Sequence, residues 1–185
     1  MEYPPELRAR LVKIKMIISD VDGVLTDGSI FKGGDGVEFK RFSVEDGAGV
    51  AIARAAGLNI ALISGRYSAA TEARARELQI EDVYNGTLNK MLPYQALLEK
   101  YHLHDDEVAY IGDGIIDLAV MARSGVPISV QNAYPLVQEA AVHVTEKCGG
   151  SGAFREAVDW ILKGQGRYET VLETLRQQLD QHTNT

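Results

Sequence analysis

Apolar residues follow two rhythms along this chain: short unbroken runs, and longer stretches in which they recur at helical spacing. The runs at 14–20, 59–64, 82–84, 108–113, 127–130 and 142–145 predict strands. Between them, 47–56, 68–78, 91–101 and 117–123 predict helices. The first is Ala-rich and stops at Gly57, a good C-cap; the second opens on Ser68, whose side chain suits an N-cap; Gly125 and Pro127 close the last. Strands alternating with helices predict an α/β fold in three layers, a central parallel sheet with helices on both faces. Right-handed crossovers then bring the C-terminal ends of the strands to one edge of the sheet, where ligands bind.

Two segments break the rhythm. Residues 29–42 carry two β runs around Gly33-Gly34-Asp35-Gly36 and predict a hairpin projecting from the first strand end. Val37, Phe39 and Arg41 alternate with Glu38, Lys40 and Phe42, which leaves no single apolar face. Such a hairpin is marginal alone in water, and a partner subunit is expected to cover it. Gly149-Gly150-Ser151-Gly152 reads as a flexible hinge before a last core helix at 153–162. Beyond Gly164 and Gly166, Val171, Leu172, Leu175 and Leu179 recur at helical spacing, so 167–185 reads as a helical tail packed on the body or on another subunit. The chain, 1–185, is expected to be one domain with its core at about 10–165.

Composition narrows the partners. Of 185 residues 45% are hydrophobic, enough for a sizeable core, and the net charge of −7 comes with no Lys/Arg stripe, so no nucleic acid partner is expected. Cys148 is the only cysteine, which excludes an intrachain disulfide. Charged residues interrupt every apolar stretch before membrane-spanning length, and the N-terminus lacks the basic-then-apolar order of a secretory signal. A cytoplasmic protein with no membrane contact is expected.

The chemistry concentrates at the predicted strand ends. Asp20-Val21-Asp22-Gly23 places two carboxylates at the end of the first run, and Gly23 lets the backbone turn away. Buried carboxylates need cationic or metal partners. Ser64 ends the second run before Gly65-Arg66, Lys90 opens a helix, and Asp113 ends Val108–Gly112 with Asp117 four residues on. Each alone reads as a turn, a cap or a solvated lysine. Together they form an inventory for phosphoryl transfer, where catalysis is mainly charge neutralisation and alignment. Asp20 would attack phosphorus, Asp22 would protonate the leaving alcohol and then activate water, Asp20 and Asp113 would ligate Mg²⁺, and Ser64 and Lys90 would hold phosphate oxygens. An idle assembly module and a phospho-accepting receiver domain are the other readings. A receiver would need its acidic pair and phosphorylated Asp on different strands.

With D-x-D-G-x-x-T at Asp20–Thr26, a Ser in L-I-S-G-R at Ser64, Lys90, and G-D-x-x-x-D at Gly112–Asp117, the chain resembles the haloacid dehalogenase superfamily. The absence of an inserted cap, the hairpin, Val44-Glu45-Asp46-Gly47 and the glycine-rich 149–152 resemble its capless 3-deoxy-D-manno-octulosonate 8-phosphate phosphatases. The resemblance implies a Rossmann-like core, Asp20 as nucleophile, the backbone carbonyl of Asp22 as a further Mg²⁺ ligand, Asp117 as a supporting carboxylate, and Thr26, Asp46, Gly47 and Arg66 as substrate-binding positions. It also implies a homotetramer whose neighbouring subunits complete each site, acting on a small phosphorylated sugar acid used for lipopolysaccharide. The alternative is a close variant acting on a nine-carbon sialic-type acid phosphate or another small phosphomonoester. Glu45 and Ser151 stand where that group commonly has Arg, and Gly114 where it usually has Asp.

Overall fold

In the computed structural model, which describes residues 3–183, the short runs become strands and the periodic stretches helices. In chain order these are α1 (Pro5–Leu11), β1 (Met16–Ser19), β2 (Phe31–Lys32), β3 (Glu38–Phe39), α2 (Val44–Ala55), β4 (Asn59–Ser64), α3 (Ala69–Glu77) and β5 (Asp82–Asn85). There follow α4 (Met91–Tyr101), β6 (Val108–Gly112), α5 (Leu118–Met121), β7 (Val126–Ser129), α6 (Pro135–Ala140), β8 (His143–Val144), α7 (Ala153–Gly164) and α8 (Tyr168–Thr183). The side chain of Leu179 lies outside the described residues. Six strands form one parallel sheet in the order β5-β4-β1-β6-β7-β8. The strand order reverses around β1, which is the position where an open α/β sheet leaves a crevice at its C-terminal edge.

The strands are apolar throughout because each feeds two cores. Ile17, Leu62, Ala109 and Ile111 face one side, where α2, α7 and α8 supply Val50, Phe154, Ile161 and Val171. Met16, Ile18, Ala61, Ile63, Val108 and Tyr110 face the other, against Tyr94 and Leu97 of α4 and Met121 of α5. Gly49 lets α2 approach α7 closely: a Cβ there would lie 2.7 Å from the Arg155 Cα. No helix among the described residues is long and apolar enough to cross a membrane.

Three expectations change. The predicted helix at 117–123 is a 3-10 turn at Ile115–Asp117 followed by the short α5, because Asp117 turns its carboxylate back onto the preceding backbone. α2 starts at Val44 rather than at 47, since Ser43 accepts the Glu45 N–H and caps it there. The glycine-rich 149–152 is packed rather than a hinge. The Gly150 N–H donates to the Val24 carbonyl at 2.9 Å, the Gly149 N–H to Asn132 Oδ1 at 2.8 Å, and a Cβ on Gly149 would lie 1.7 Å from the Gly23 carbonyl oxygen. Gly149→Ala is therefore expected to cost about 1–3 kcal/mol in urea denaturation and to displace the Asp20–Thr26 loop.

The hairpin is shorter than its sequence suggests. Phe31 pairs with Phe39 and Lys32 with Glu38, and an isolated bridge joins Thr26 to Phe42. Its alternation is inverted relative to a soluble protein: Val37 and Phe39 are exposed, whereas the Lys40 side chain is fully buried.

Candidate active site

Asp20 continues β1 by donating its N–H to the Ile111 carbonyl of β6, so its side chain is fixed at the C-terminal edge of the sheet. The chain then turns tightly, with the N–H groups of Val24, Leu25 and Thr26 all converging on the Val21 carbonyl. Gly23 sits at φ +95°, and a Cβ there would lie 2.1 Å from Asp113 Oδ2. Its glycine is required by the backbone conformation and by the carboxylate across the crevice.

Under this turn lies a buried ionic cluster. Lys90, with no exposed side-chain surface, places Nζ 2.8 Å from Asp20 Oδ1 and 2.6 Å from Asp117 Oδ1. Asp117 is saturated: Oδ1 also accepts the Tyr110 hydroxyl at 2.6 Å, and Oδ2 accepts the N–H groups of Asp113 at 3.1 Å and Gly114 at 2.9 Å. Asp20, Asp113 and Asp117 can present oxygens within 4.8 Å of one another. Two of these three clustered carboxylates, Asp20 and Asp117, thus share one ammonium. Burial, with the neighbouring Asp117 and Asp113, holds the Asp20 carboxyl well above its usual range despite the opposing Lys90. Burial and Asp117 push Asp113 up to about 6. Asp113 Oδ1 is buried and accepts no hydrogen bond. A hard divalent cation between Asp20 and Asp113 fits this charge deficit, because Asp117 has already spent its oxygens on protein donors.

Beside the cluster opens a cavity of about 280 Å³ lined by Asp20, Asp22, Ser64, Arg66 and Asp113, with Ile30, Leu88 and Ile116 among its apolar walls. Asp22 retains 24% side-chain exposure there and pairs with Lys40 of the hairpin at 2.6 Å. Ser64 Oγ donates to the Arg66 carbonyl at 2.9 Å. The guanidinium of Arg66 makes a bidentate pair with Glu38 of β3, one contact at 2.7 Å. A larger cavity of about 690 Å³ lies between α1, α7 and β8, and its lining includes none of these carboxylates.

The six motif residues Asp20, Asp22, Ser64, Lys90, Asp113 and Asp117 therefore meet at one edge, with Arg66 beside them. Three positions expected to bind substrate do not line the cavity. Thr26 is buried, and its hydroxyl accepts the N–H groups of Gly23 at 3.3 Å and Gly28 at 3.2 Å. Gly47 faces Arg74 and Leu78. Asp46 turns to the start of α7, where Oδ1 accepts the Arg155 N–H at 3.2 Å and Oδ2 is buried without a hydrogen bond. Sequence reasoning also passed over Tyr110, Glu38 and Lys40. The alternation of 37–42 did not single the last two out, because each of its faces mixes apolar with charged residues.

Asp46 yields a pH prediction. Burial pushes its carboxyl up to about 6, against the pull of the N–H groups of Arg155, Gly152 and Phe154. The folded chain then binds this proton more tightly than the unfolded chain, so its contribution is fully present below about pH 4 and is lost as pH rises through about 6. Relative to Asp46→Asn, the wild type is expected to lose about 2–3 kcal/mol across that window, read from urea unfolding at stepped pH. A stability difference that stays flat across the window would refute it.

The fold and this constellation define a phosphoryl-transfer hydrolase of the haloacid dehalogenase type, and the sequence pattern described as haloacid dehalogenase-like hydrolase matches residues 76–153. The 3-deoxy-D-manno-octulosonate 8-phosphate phosphatase of Salmonella typhimurium is 39% identical over 89% of this chain and 88% of its own. That of Yersinia pestis is 41% identical over 86% of each. A Moraxella catarrhalis phosphatase of the same name, crystallised with magnesium, phosphate and the sugar acid, superposes with a TM-score of 0.88 at 35% identity over 94% of this chain and 99% of that one. The chain belongs to the 3-deoxy-D-manno-octulosonate 8-phosphate phosphatase family.

Proposed function

We propose that this protein is a Mg²⁺-dependent phosphatase that hydrolyses 3-deoxy-D-manno-octulosonate 8-phosphate to the free sugar acid and phosphate. The observation that carries the reading is the clustering of Asp20, Asp113 and Asp117 beside the buried Lys90, opening on a cavity that also presents Asp22 and Ser64. Asp20 is the nucleophile: its oxygen bonds to phosphorus as the bond from phosphorus to the sugar oxygen breaks. Asp22 gives its proton to that departing oxygen. It then takes a proton from a water that attacks the aspartyl phosphate, releasing phosphate and restoring Asp20. Ser64 and Lys90 hold the phosphoryl oxygens, and Asp117 fixes Lys90 and the Asp113 backbone. Mg²⁺, held by Asp20, Asp113 and the Asp22 backbone carbonyl, would neutralise charge on the phosphoryl group.

The whole chain, 1–185, acts in this reading as one hydrolase domain within a cytoplasmic homotetramer. Exposed Ile30, Phe31, Val37 and Phe39 on the hairpin support the assembly, because they leave apolar side chains open to solvent on the element that also lends Ile30 to the cavity wall. The single cysteine suits a reducing compartment.

The test is phosphate release from a panel containing the eight-carbon acid 8-phosphate, a nine-carbon sialic-type acid 9-phosphate and simple phosphomonoesters. The eight-carbon substrate is expected to show the highest kcat/KM, with activity abolished by EDTA and restored by Mg²⁺. Silence across the panel with Mg²⁺ present would overturn the reading, and preference for the nine-carbon substrate would reassign it. Sedimentation of the same preparation checks the tetramer.

A further inference from the structure

We propose that Lys40, the residue just after β3 of the hairpin, is a positioning residue for the acid/base carboxylate of Asp22. The inference rests on the phosphatase reading and adds to it a residue from outside the phosphoryl-transfer motifs. The Lys40 side chain is fully buried even though Val37, Phe39 and Arg41 on the alternate positions are exposed. A lysine gives up hydration at its ammonium only where polar partners replace it. Two do: Asp22 Oδ1 at 2.6 Å, and the Thr71 hydroxyl of α3 at 3.2 Å. The ammonium therefore ties three elements together, namely the hairpin, the turn after β1 and the start of α3.

What this does to Asp22 follows from which oxygen is engaged. Oδ1 is buried, and Lys40 is its ionic partner without an aligned hydrogen bond, whereas the side chain as a whole keeps 24% exposure to the cavity. The carboxylate oxygen left to face the cavity is Oδ2. Asp22 stands on a turn, beyond the last residue of β1, so its own strand does not fix its rotamer. An ion pair to one oxygen locks the plane of the carboxylate and aims the other. The same strand end holds Arg66 through Glu38, so one short hairpin orients both charged side chains at the mouth of the cavity.

A group that aims the acid matters in proportion to how badly the leaving group needs a proton. An alkyl alcohol, as in a sugar phosphate, needs it; p-nitrophenolate leaves without it. Comparing kcat/KM for the two substrates isolates the transfer step, because that ratio is set no later than departure of the alcohol. In Lys40→Met, kcat/KM on the sugar acid phosphate is expected to fall about 10–100-fold, with a loss on p-nitrophenyl phosphate at least about tenfold smaller. Asp22→Asn should show the same selectivity with a larger amplitude. If Lys40→Met does not fold, Thr71→Val, which removes the other partner of the ammonium, is read the same way and is expected to give a smaller selective loss. Equal losses on both substrates in the folded variant would overturn the proposal, since a merely structural residue would not discriminate between leaving groups. Failure of the wild type on both substrates would instead overturn the phosphatase reading itself.

Discussion

Asp20→Asn is expected to lower kcat/KM for the sugar acid phosphate about 10⁴-fold or more, with no covalent phosphoryl-enzyme detectable after rapid acid quench. The amide matches the carboxylate in shape but cannot act as a nucleophile toward phosphorus. It also removes one of three clustered carboxylates, two of which share a single ammonium, so the variant is expected to fold at least as well as the wild type. Loss of activity without loss of stability distinguishes a chemical role from a scaffolding one. Asp20→Ala serves as the companion variant, because it cannot revert to aspartate by deamidation. Turnover within tenfold of wild type in Asp20→Ala would remove Asp20 as the nucleophile, whichever other carboxylate took its place.

That the reacting residues could be named from sequence has a physical basis. Each stands just past an unbroken apolar run or at the first turn of a helix, and parallel topology brings such positions to one edge without further information. Asp20 and Asp113 follow β1 and β6, and Ser64 ends β4; the three strands are neighbours in the sheet. Contacts that cross between elements were not legible. Lys40 meeting Asp22 and Asp46 meeting Arg155 depend on how the hairpin and α7 are laid over the sheet, which no local pattern encodes. The resemblance put Asp46 among the substrate-binding positions, and its carboxylate accepts the Arg155 N–H at the start of α7, a contact no local pattern announces. The glycine-rich 149–152 shows the same limit from the other side. Composition cannot tell a glycine chosen for freedom from one chosen because a backbone oxygen leaves no room for a Cβ, as at Gly149. α1 and α6 passed unnoticed because each spans barely two turns, although both have proline in the first turn as their start signal.

The buried cluster gives the second large effect, this time on stability. Among the described residues Lys90 is the only cation paired with Asp20 and Asp117, and its side chain is inaccessible to solvent. Burial alone would lower its pKa, yet the two carboxylates more than offset that and raise it, so the ammonium is charged in the folded protein. Lys90→Met keeps most of the volume and removes the charge, stranding two carboxylates in a dry site. The expected cost is about 3–5 kcal/mol in urea unfolding with EDTA present. Asp117→Asn alone should also destabilise, because Lys90 loses its closest carboxylate and the Asp113 and Gly114 N–H groups lose a charged acceptor. Combining the two must cost less than their sum, since removing both members of an ion pair leaves fewer stranded charges than removing one. Because the deficit is one of positive charge, saturating Mg²⁺ is expected to recover part of the loss in Lys90→Met but little in Asp117→Asn. Strict additivity of the two substitutions, measured in EDTA, would mean that Lys90 and Asp117 do not function as a pair and that the site is held together by something other than the ammonium at its centre.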